Sequence, residues 1–217
     1  ECMELAGADR FVTMDLHAQQ LQGFSKRPMD HLYAQPMLKE VIARVGTENM
    51  VVVSPDAGYA KQARKFATSL NLPIAIGDKT RSDHSENAEV LEIIGDVKGK
   101  NCLIVDDFTI SGGTLINLAC GLKERGALDI TAMLSHNIIS ARGVEKLNNS
   151  PIKTVYSTDT VFNPNIIGQE KFKTVSVAPM FAETIMRYYK HDSINQMFSQ
   201  LPEHVIEAGL ELAGLEL

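Results

Sequence analysis

Residues 103–107 read Leu-Ile-Val-Asp-Asp, and Phe-Thr-Ile-Ser-Gly-Gly-Thr follows over 108–114. An apolar strand thus runs into two adjacent carboxylates, and a small-residue loop then opens a helix expected over 115–125. The amides of Ser111, Gly112, Gly113 and Thr114, together with the positive end of that helix, attract an anion. Asp106 and Asp107, at the strand's carboxyl end, can accept hydrogen bonds from hydroxyls or hold a hydrated Mg2+ ion. An anion at one end and hydroxyls at the other suggest a ribose 5-phosphate site. The plain alternative is an ordinary glycine turn beside a solvated strand end. The order of strand, acidic pair, glycine loop and helix favours the site.

Three further groups carry possible chemistry. Val51 to Val53 lead into Ser54-Pro55-Asp56-Ala57-Gly58, a second strand-to-loop-to-helix passage. Gly58 permits unusual backbone angles near a diphosphate; taken alone, Asp56 reads equally as the cap of a proline-marked turn. His17, after Thr-Met-Asp-Leu, sits just past a strand and can offer an imidazole nitrogen to a metal; Asp15 beside it is a supporting partner or a strand-end cap. His31, His136, His191 and His204 lack such a context. Residues 77–87, Gly-Asp-Lys-Thr-Arg-Ser-Asp-His-Ser-Glu-Asn, form a polar stretch expected to be a loop, either a solvated surface or a lid. Lys79 and Arg81 lie two apart, so an extended loop can aim both at a polyphosphate.

The elements that must hold these groups alternate. Strands are expected over 11–14, 50–53, 74–76, 102–105, 129–134, 153–157 and 172–176, and helices over 37–45, 60–70, 115–125, 142–148 and 178–190. Such alternation predicts an α/β fold with a mostly parallel sheet covered by helices, ligands binding beyond the strands' carboxyl ends. The 217 residues, 44% hydrophobic and 22% charged, suffice for a proper core. A net charge of −6 disfavours nonspecific nucleic-acid binding. Local positive charge nevertheless sits at Lys61, Arg64, Lys65, Lys79 and Arg81, where a phosphate-rich ligand needs it. No apolar run approaches the roughly 20 residues of a membrane span. Cys2, Cys102 and Cys120 lack the spacing of a metal site or disulfide framework and suit a reducing cytoplasm.

The segment over 103–114 resembles the PRPP motif of type I phosphoribosyltransferases and of ribose-phosphate diphosphokinases (PRPP synthetases). Residues 8–24 (Ala-Asp-Arg-Phe-Val-Thr-Met-Asp-Leu-His-Ala-Gln-Gln-Leu-Gln-Gly-Phe), 53–58, 92–99 (Glu-Ile-Ile-Gly-Asp-Val-Lys-Gly) and 176–183 (Ser-Val-Ala-Pro-Met-Phe-Ala-Glu) resemble diphosphokinase segments in that family's order. Simple phosphoribosyltransferases lack the Asp-Leu-His and Ser-Pro-Asp segments in this arrangement. The resemblance, which reaches to about residue 200, implies a type I phosphoribosyltransferase-like fold. It also implies transfer of the diphosphoryl group of ATP to ribose 5-phosphate, giving PRPP and AMP. Thr109 to Thr114, Ile110 included, would anchor the 5-phosphate, with Arg81 also touching the sugar phosphate, and Asp106 and Asp107 would fix the ribose hydroxyls. Asp56, Ala57 and Gly58 would form the pyrophosphate loop, His17 and Asp56 would hold Mg2+, and Lys79 and Arg81 would be catalytic. Three positions depart from the family pattern: Tyr59 replaces a common glycine, Thr80 separates the two basic residues, and Ile110 replaces an aspartate or another polar residue.

The same resemblance implies residues 1–33 as the end of an N-terminal lobe, 34–185 as a complete second lobe, and 186–217 as a helix and tail packing toward the first lobe or a neighbouring subunit. Glu1 to Ala6 reads as the tail of a helix stopped by Gly7. The Phe-x-Asp/Asn-x-Glu segment and Arg-Gln pair that hold ATP in the family do not occur here, so the expectation is a chain inactive by itself. A homo-oligomer (a hexamer in the family), cytoplasmic location and regulation by ADP and phosphate, with Gln22 and Asp30 near the regulatory site, are further family expectations. The alternatives are a non-catalytic regulatory subunit and, further off, a PRPP-using phosphoribosyltransferase.

Overall fold

The structure is a computed structural model that describes residues 1–81 and 89–213. After a short helix α1 (Cys2–Leu5), β1 (Phe11–Met14) and β2 (Met29–Leu32) pair in parallel as a small two-stranded sheet. Helix α2 (Gln35–Val45) leads into β3 (Met50–Ser54), α3 (Ala60–Ser69), β4 (Ile74–Arg81), β5 (Glu89–Ile94), β6 (Asn101–Phe108) and α4 (Gly113–Glu124). There follow β7 (Ile130–His136), α5 (Ala141–Asn148), β8 (Thr154–Thr158), β9 (Phe172–Val175), α6 (Ala178–Lys190) and α7 (Glu203–Leu212). The second sheet has seven strands in the order β5-β4-β3-β6-β7-β8-β9, all parallel except the edge strand β5.

Strand alternation explains the layering. Val52, Leu103 and Val105 face a core built with α2, α3, α6 and α7, while Val51, Val53, Cys102 and Ile104 face the opposite core under α4 and α5. Both faces of the central strands are therefore covered, which is why they read as unbroken apolar runs. The order β4-β3-β6 puts the chain's two strand-to-loop-to-helix passages side by side at one end of the sheet.

Two expectations change. β2 is an additional strand: Met-Asp-His-Leu has no strand signature of its own and is extended because β1 pairs with it. Residues 77–81, expected as loop, continue β4 and pair with β5, from Ile76 opposite Ile94 to Arg81 opposite Glu89; residues 82–88 of the expected lid lie outside the described residues. The boundary at 185 falls inside the continuous helix α6. Beyond it, Met197, Leu201, Val205 and Leu210 are buried in the core of the large sheet, and α7 lies on α6, α2 and β9. Burial of these apolar side chains packs that segment against the large sheet. Among the described residues no helix is long and apolar enough to cross a membrane.

Candidate functional site

β6 delivers Asp106 and Asp107 to the carboxyl end of the sheet, and the chain then turns through residues 109–112 into α4. Gly112 has φ 72°, and a Cβ there would lie 2.9 Å from Leu147 Cγ, so both its backbone and its surroundings require glycine. The Gly112 amide donates to Thr109 Oγ1 (3.1 Å) and the Gly113 amide to Ser111 Oγ (3.3 Å). Two of the loop's amides thus bond hydroxyls of the loop itself. The Ile110 carbonyl accepts from the Ser140 amide (2.9 Å), while its side chain is 58% exposed. The apolar side chain at 110 therefore points away from the core and takes no part in the loop's backbone bonding.

Beside the cradle lies a cavity of about 440 Å3 lined by Asp15, His17, Asp56, Gly58, Tyr59, Asp106 and Asp107 among others. The structure thus brings His17, Asp56 and the acidic pair, far apart in sequence, to one space. Asp107 Oδ2 lies 2.5 Å from His17 Nδ1, and the same carboxylate's Oδ1 accepts from the Phe108 amide. This pairing raises the His17 pKa, chiefly through the hydrogen bond and then through the Asp107 charge. In the neutral ring it places the proton on Nδ1 and leaves Nε2 with its lone pair, the carboxylate-histidine arrangement that prepares an imidazole for a metal. Burial first, then the Asp107 charge, raises Asp106 to about 7. Burial, followed by the charges of Asp15, Asp106 and Asp107, pushes the Tyr59 phenol far above its ordinary range and keeps it protonated. Asp56 also acts as the plain reading has it, its Oδ1 accepting from the Tyr59 amide at 2.9 Å.

A polar network that sequence reasoning missed holds this group. Asp15, with φ 40°, takes the Ala34 amide (2.8 Å) and the Ser135 hydroxyl (2.7 Å) on Oδ2, and its carbonyl accepts from His136 Nε2 (3.0 Å). His136 Nδ1 in turn accepts from Thr160 (2.8 Å). The next amide, Leu16, donates to Nε2 of the buried His31 (2.8 Å), whose pKa burial lowers. Asp15 is therefore a partner that ties the small sheet to β7 and sets the course of the chain into His17. His31 and His136, without context in the sequence, support the site through contacts made across 15 and 121 residues. The one signal that pointed here was Asp15 itself.

The remaining expected residues are placed as follows. Ala57 lies in the loop between Asp56 and Gly58, before α3. Lys79 and Arg81 stand on β4, opposite Leu91 and Glu89 of β5; their side chains lie outside what the structure describes. Gln22 Nε2 lies 3.3 Å from His31 Nδ1, and Asp30 Oδ2 accepts from Tyr188 (2.7 Å) and pairs with Arg10 (3.4 Å). Among the described residues no three His, Cys, Asp or Glu side chains cluster as a ready metal site. The donors that line the cavity, one imidazole and several carboxylates, still suit Mg2+, which binds through one or two protein ligands and takes the rest of its shell from water and phosphate.

Known proteins resemble this chain over most of its length. Residues 82–199 match the phosphoribosyl synthetase-associated domain. Ribose-phosphate pyrophosphokinases of Clostridium tetani and Caldanaerobacter subterraneus are 43% and 46% identical over 91% and 89% of this chain, and 62% and 61% of their own lengths. The crystal structure of phosphoribosylpyrophosphate synthetase from Mycobacterium smegmatis superposes with a TM-score of 0.79 at 36% identity, over 87% of this chain and 61% of that one. The chain thus spans about three-fifths of the length of these relatives, and the fold is the type I phosphoribosyltransferase-like α/β fold. By the agreement of motif order, sheet topology and sequence, the chain belongs to the phosphoribosyl synthetase family.

Proposed function

We propose that this chain carries the ribose 5-phosphate and diphosphoryl-transfer side of a ribose-phosphate diphosphokinase, which makes PRPP and AMP from ATP and ribose 5-phosphate. The observation that carries the reading is the adjacency of the Thr109–Thr114 cradle to the cavity where His17, Asp56, Asp106 and Asp107 converge. The cradle's amides bind the 5-phosphate, and Asp106 and Asp107 accept from the ribose hydroxyls and orient the anomeric one toward the cavity. His17 Nε2 and the Asp56 carboxylate would hold Mg2+, which supplies charge neutralisation of the ATP phosphates. Asp107 holds the His17 ring in place for that role. The Asp56-Ala57-Gly58 loop receives the diphosphate, and Lys79 and Arg81 stabilise charge on the transferring group. A cytoplasmic homo-oligomer regulated by ADP and phosphate completes the reading.

The test is the release of AMP from ATP and Mg2+, dependent on added ribose 5-phosphate, by the protein isolated from its own cells, with Lys79→Ala alongside. Activity that falls at least a hundredfold in Lys79→Ala is expected. Ribose 5-phosphate binding without any AMP release would sink the enzyme reading and leave a non-catalytic subunit of the synthetase.

A further inference from the structure

The glycine loop over 109–112 is gripped from behind. Its Ile110 carbonyl accepts from the Ser140 amide at 2.9 Å. Helix α5 closes on the same spot: a Cβ on Gly143 would lie 2.8 Å from the Ile110 carbonyl oxygen and 3.2 Å from the Ser111 carbonyl carbon. Ser140 also caps α5, its Oγ accepting from the Gly143 amide at 3.2 Å. In a trans peptide the C=O and N–H lie in one rigid plane and point in opposite directions, and no cis peptide occurs among the described residues. The Ser140 N–H therefore shares a plane with the Ile139 carbonyl, and the Ile110 carbonyl shares one with the Ser111 N–H. With the Ile110 carbonyl turned back to Ser140, the Ser111 amide is aimed the opposite way, and Ser111 is exposed.

The Ile139–Ser140 plane is held in turn by the connection between β8 and β9. Its carbonyl accepts from Asn163 Nδ2 (2.9 Å) and from Asn165 Nδ2 (3.2 Å). Asn163 Nδ2 also donates to Asn137 Oδ1 (2.9 Å), and Asn137 Nδ2 donates to Ser157 Oγ (2.9 Å). Asn163 Oδ1 takes the Asn165 amide (3.0 Å). Asn137, Ser157 and Asn163 are buried, and none of the three asparagines lines the acidic cavity. A buried amide bonded through both its nitrogen and its oxygen is fixed in one orientation, and it fixes the peptide that it grips.

We propose that Asn163, with Asn165 beside it, is a positioning residue for ribose 5-phosphate: through the Ile139–Ser140 peptide it holds the Ile110–Ser111 peptide in the orientation that presents the Ser111 amide to the 5-phosphate. Without that grip the Ile139–Ser140 plane is free to tilt, its N–H leaves the Ile110 carbonyl, and the Ser111 amide loses its aim. The inference rests on the reading that residues 109–114 bind the sugar phosphate, and it extends that site to a connection that does not touch the ligand.

Calorimetry with ribose 5-phosphate on the full chain, together with amide exchange at Ser140, tests it. Asn163→Ala is expected to weaken ribose 5-phosphate by about five- to twentyfold and Asn165→Ala by about two- to fourfold, since a small misplacement of a positioned group is costly. The Ser140 amide is expected to exchange faster in both. Ser157→Ala is the control: it removes the far end of the network and keeps both donors to the Ile139 carbonyl, so it lowers Tm and leaves ribose 5-phosphate affinity within about twofold of the wild type. Unchanged affinity or unchanged Ser140 protection in Asn163→Ala overturns the inference, and so does an equal loss of affinity in Ser157→Ala, which would make the effect one of general stability. Asn165 is exposed, so its variant folds; if Asn163→Ala does not fold, wild-type affinity in Asn165→Ala overturns the inference by itself. These outcomes leave the diphosphokinase reading standing, whereas a wild-type chain that does not bind ribose 5-phosphate overturns both.

Discussion

Asp106 lies near the carboxyl end of β6 beside Asp107, and burial together with that neighbour's charge raises its carboxyl to about 7. A carboxyl whose folded pKa lies above its unfolded value of about 4 favours folding while it is protonated, so its contribution is complete below that unfolded value and is lost as pH rises through the folded one. Asp106→Asn keeps the side-chain oxygen that accepts from the Asp107 amide (3.0 Å) and removes the titration. Relative to the wild type, this variant is expected to gain stability between pH 4 and neutrality, by about 1–3 kcal/mol at the upper end. Thermal melts in metal-free buffer at pH 4, 6 and 8 read this directly; an unchanged difference in Tm across the series would contradict it. On the proposed reading, the gain is expected to accompany loss of ribose 5-phosphate binding, a trade of stability against function. Asp106 and Asp107 were legible in the sequence because strand, acidic pair and glycine loop are contiguous. The link of Asp107 to His17 was not, since 90 residues separate them.

At the scale of elements, α7 shows how packing overrides local preference. Gly209 lies inside it, where alanine is preferred by about 1 kcal/mol in an isolated helix. A Cβ at this position would sit 2.5 Å from Met37 Cε and 2.7 Å from the Ser176 carbonyl. The methionine end can move aside and the carbonyl cannot. Gly209→Ala is therefore expected to destabilise by about 1–3 kcal/mol, a fall in Tm of roughly 2–9 °C for a chain of this size, and a Tm at or above wild type would refute the close approach. The helices α2 to α6 were readable from their apolar spacing, and the expected 178–190 coincides with α6. β4 beyond Ile76 was not readable, because Gly-Asp-Lys-Thr-Arg is polar and becomes strand by pairing with β5.

Across the whole molecule, two polar clasps besides the His17–Asp107 pair tie the small sheet to the large one. One is Asp15 with Ser135 and His136; the other is Asp30 with Tyr188 of α6, whose ring also lies under Arg10 at 4.4 Å. Each hydrogen bond contributes about 1 kcal/mol, so Ser135→Ala and Tyr188→Phe are each expected to cost about that much, and the double variant their sum because the two ties share no residue. Amide exchange is the sharper measurement: β1 and β2, four residues each, should exchange faster than β3 and β6, and the double variant should widen that gap. Equal protection of both sheets in the double variant would show that these two ties do not hold the small sheet in place. The helix that runs past residue 185 thus contacts both sides, with Tyr188 on the small sheet and Met180 in the core of the large one.

The sequence by itself determined the alternating α/β order, the glycine turn over 109–114, the second strand-to-loop-to-helix passage over 51–60 and the family, because each rests on residues adjacent along the chain whose backbone and side chains act locally. Tertiary structure alone decided that His17 faces Asp107, that Asp15 binds Ser135, that β2 and the outer half of β4 are strands, and that Asn163 grips the Ile139 carbonyl. Those contacts are products of sheet order and helix rotation. They depend on which distant elements become neighbours when both faces of the sheet are buried, and no local pattern encodes that.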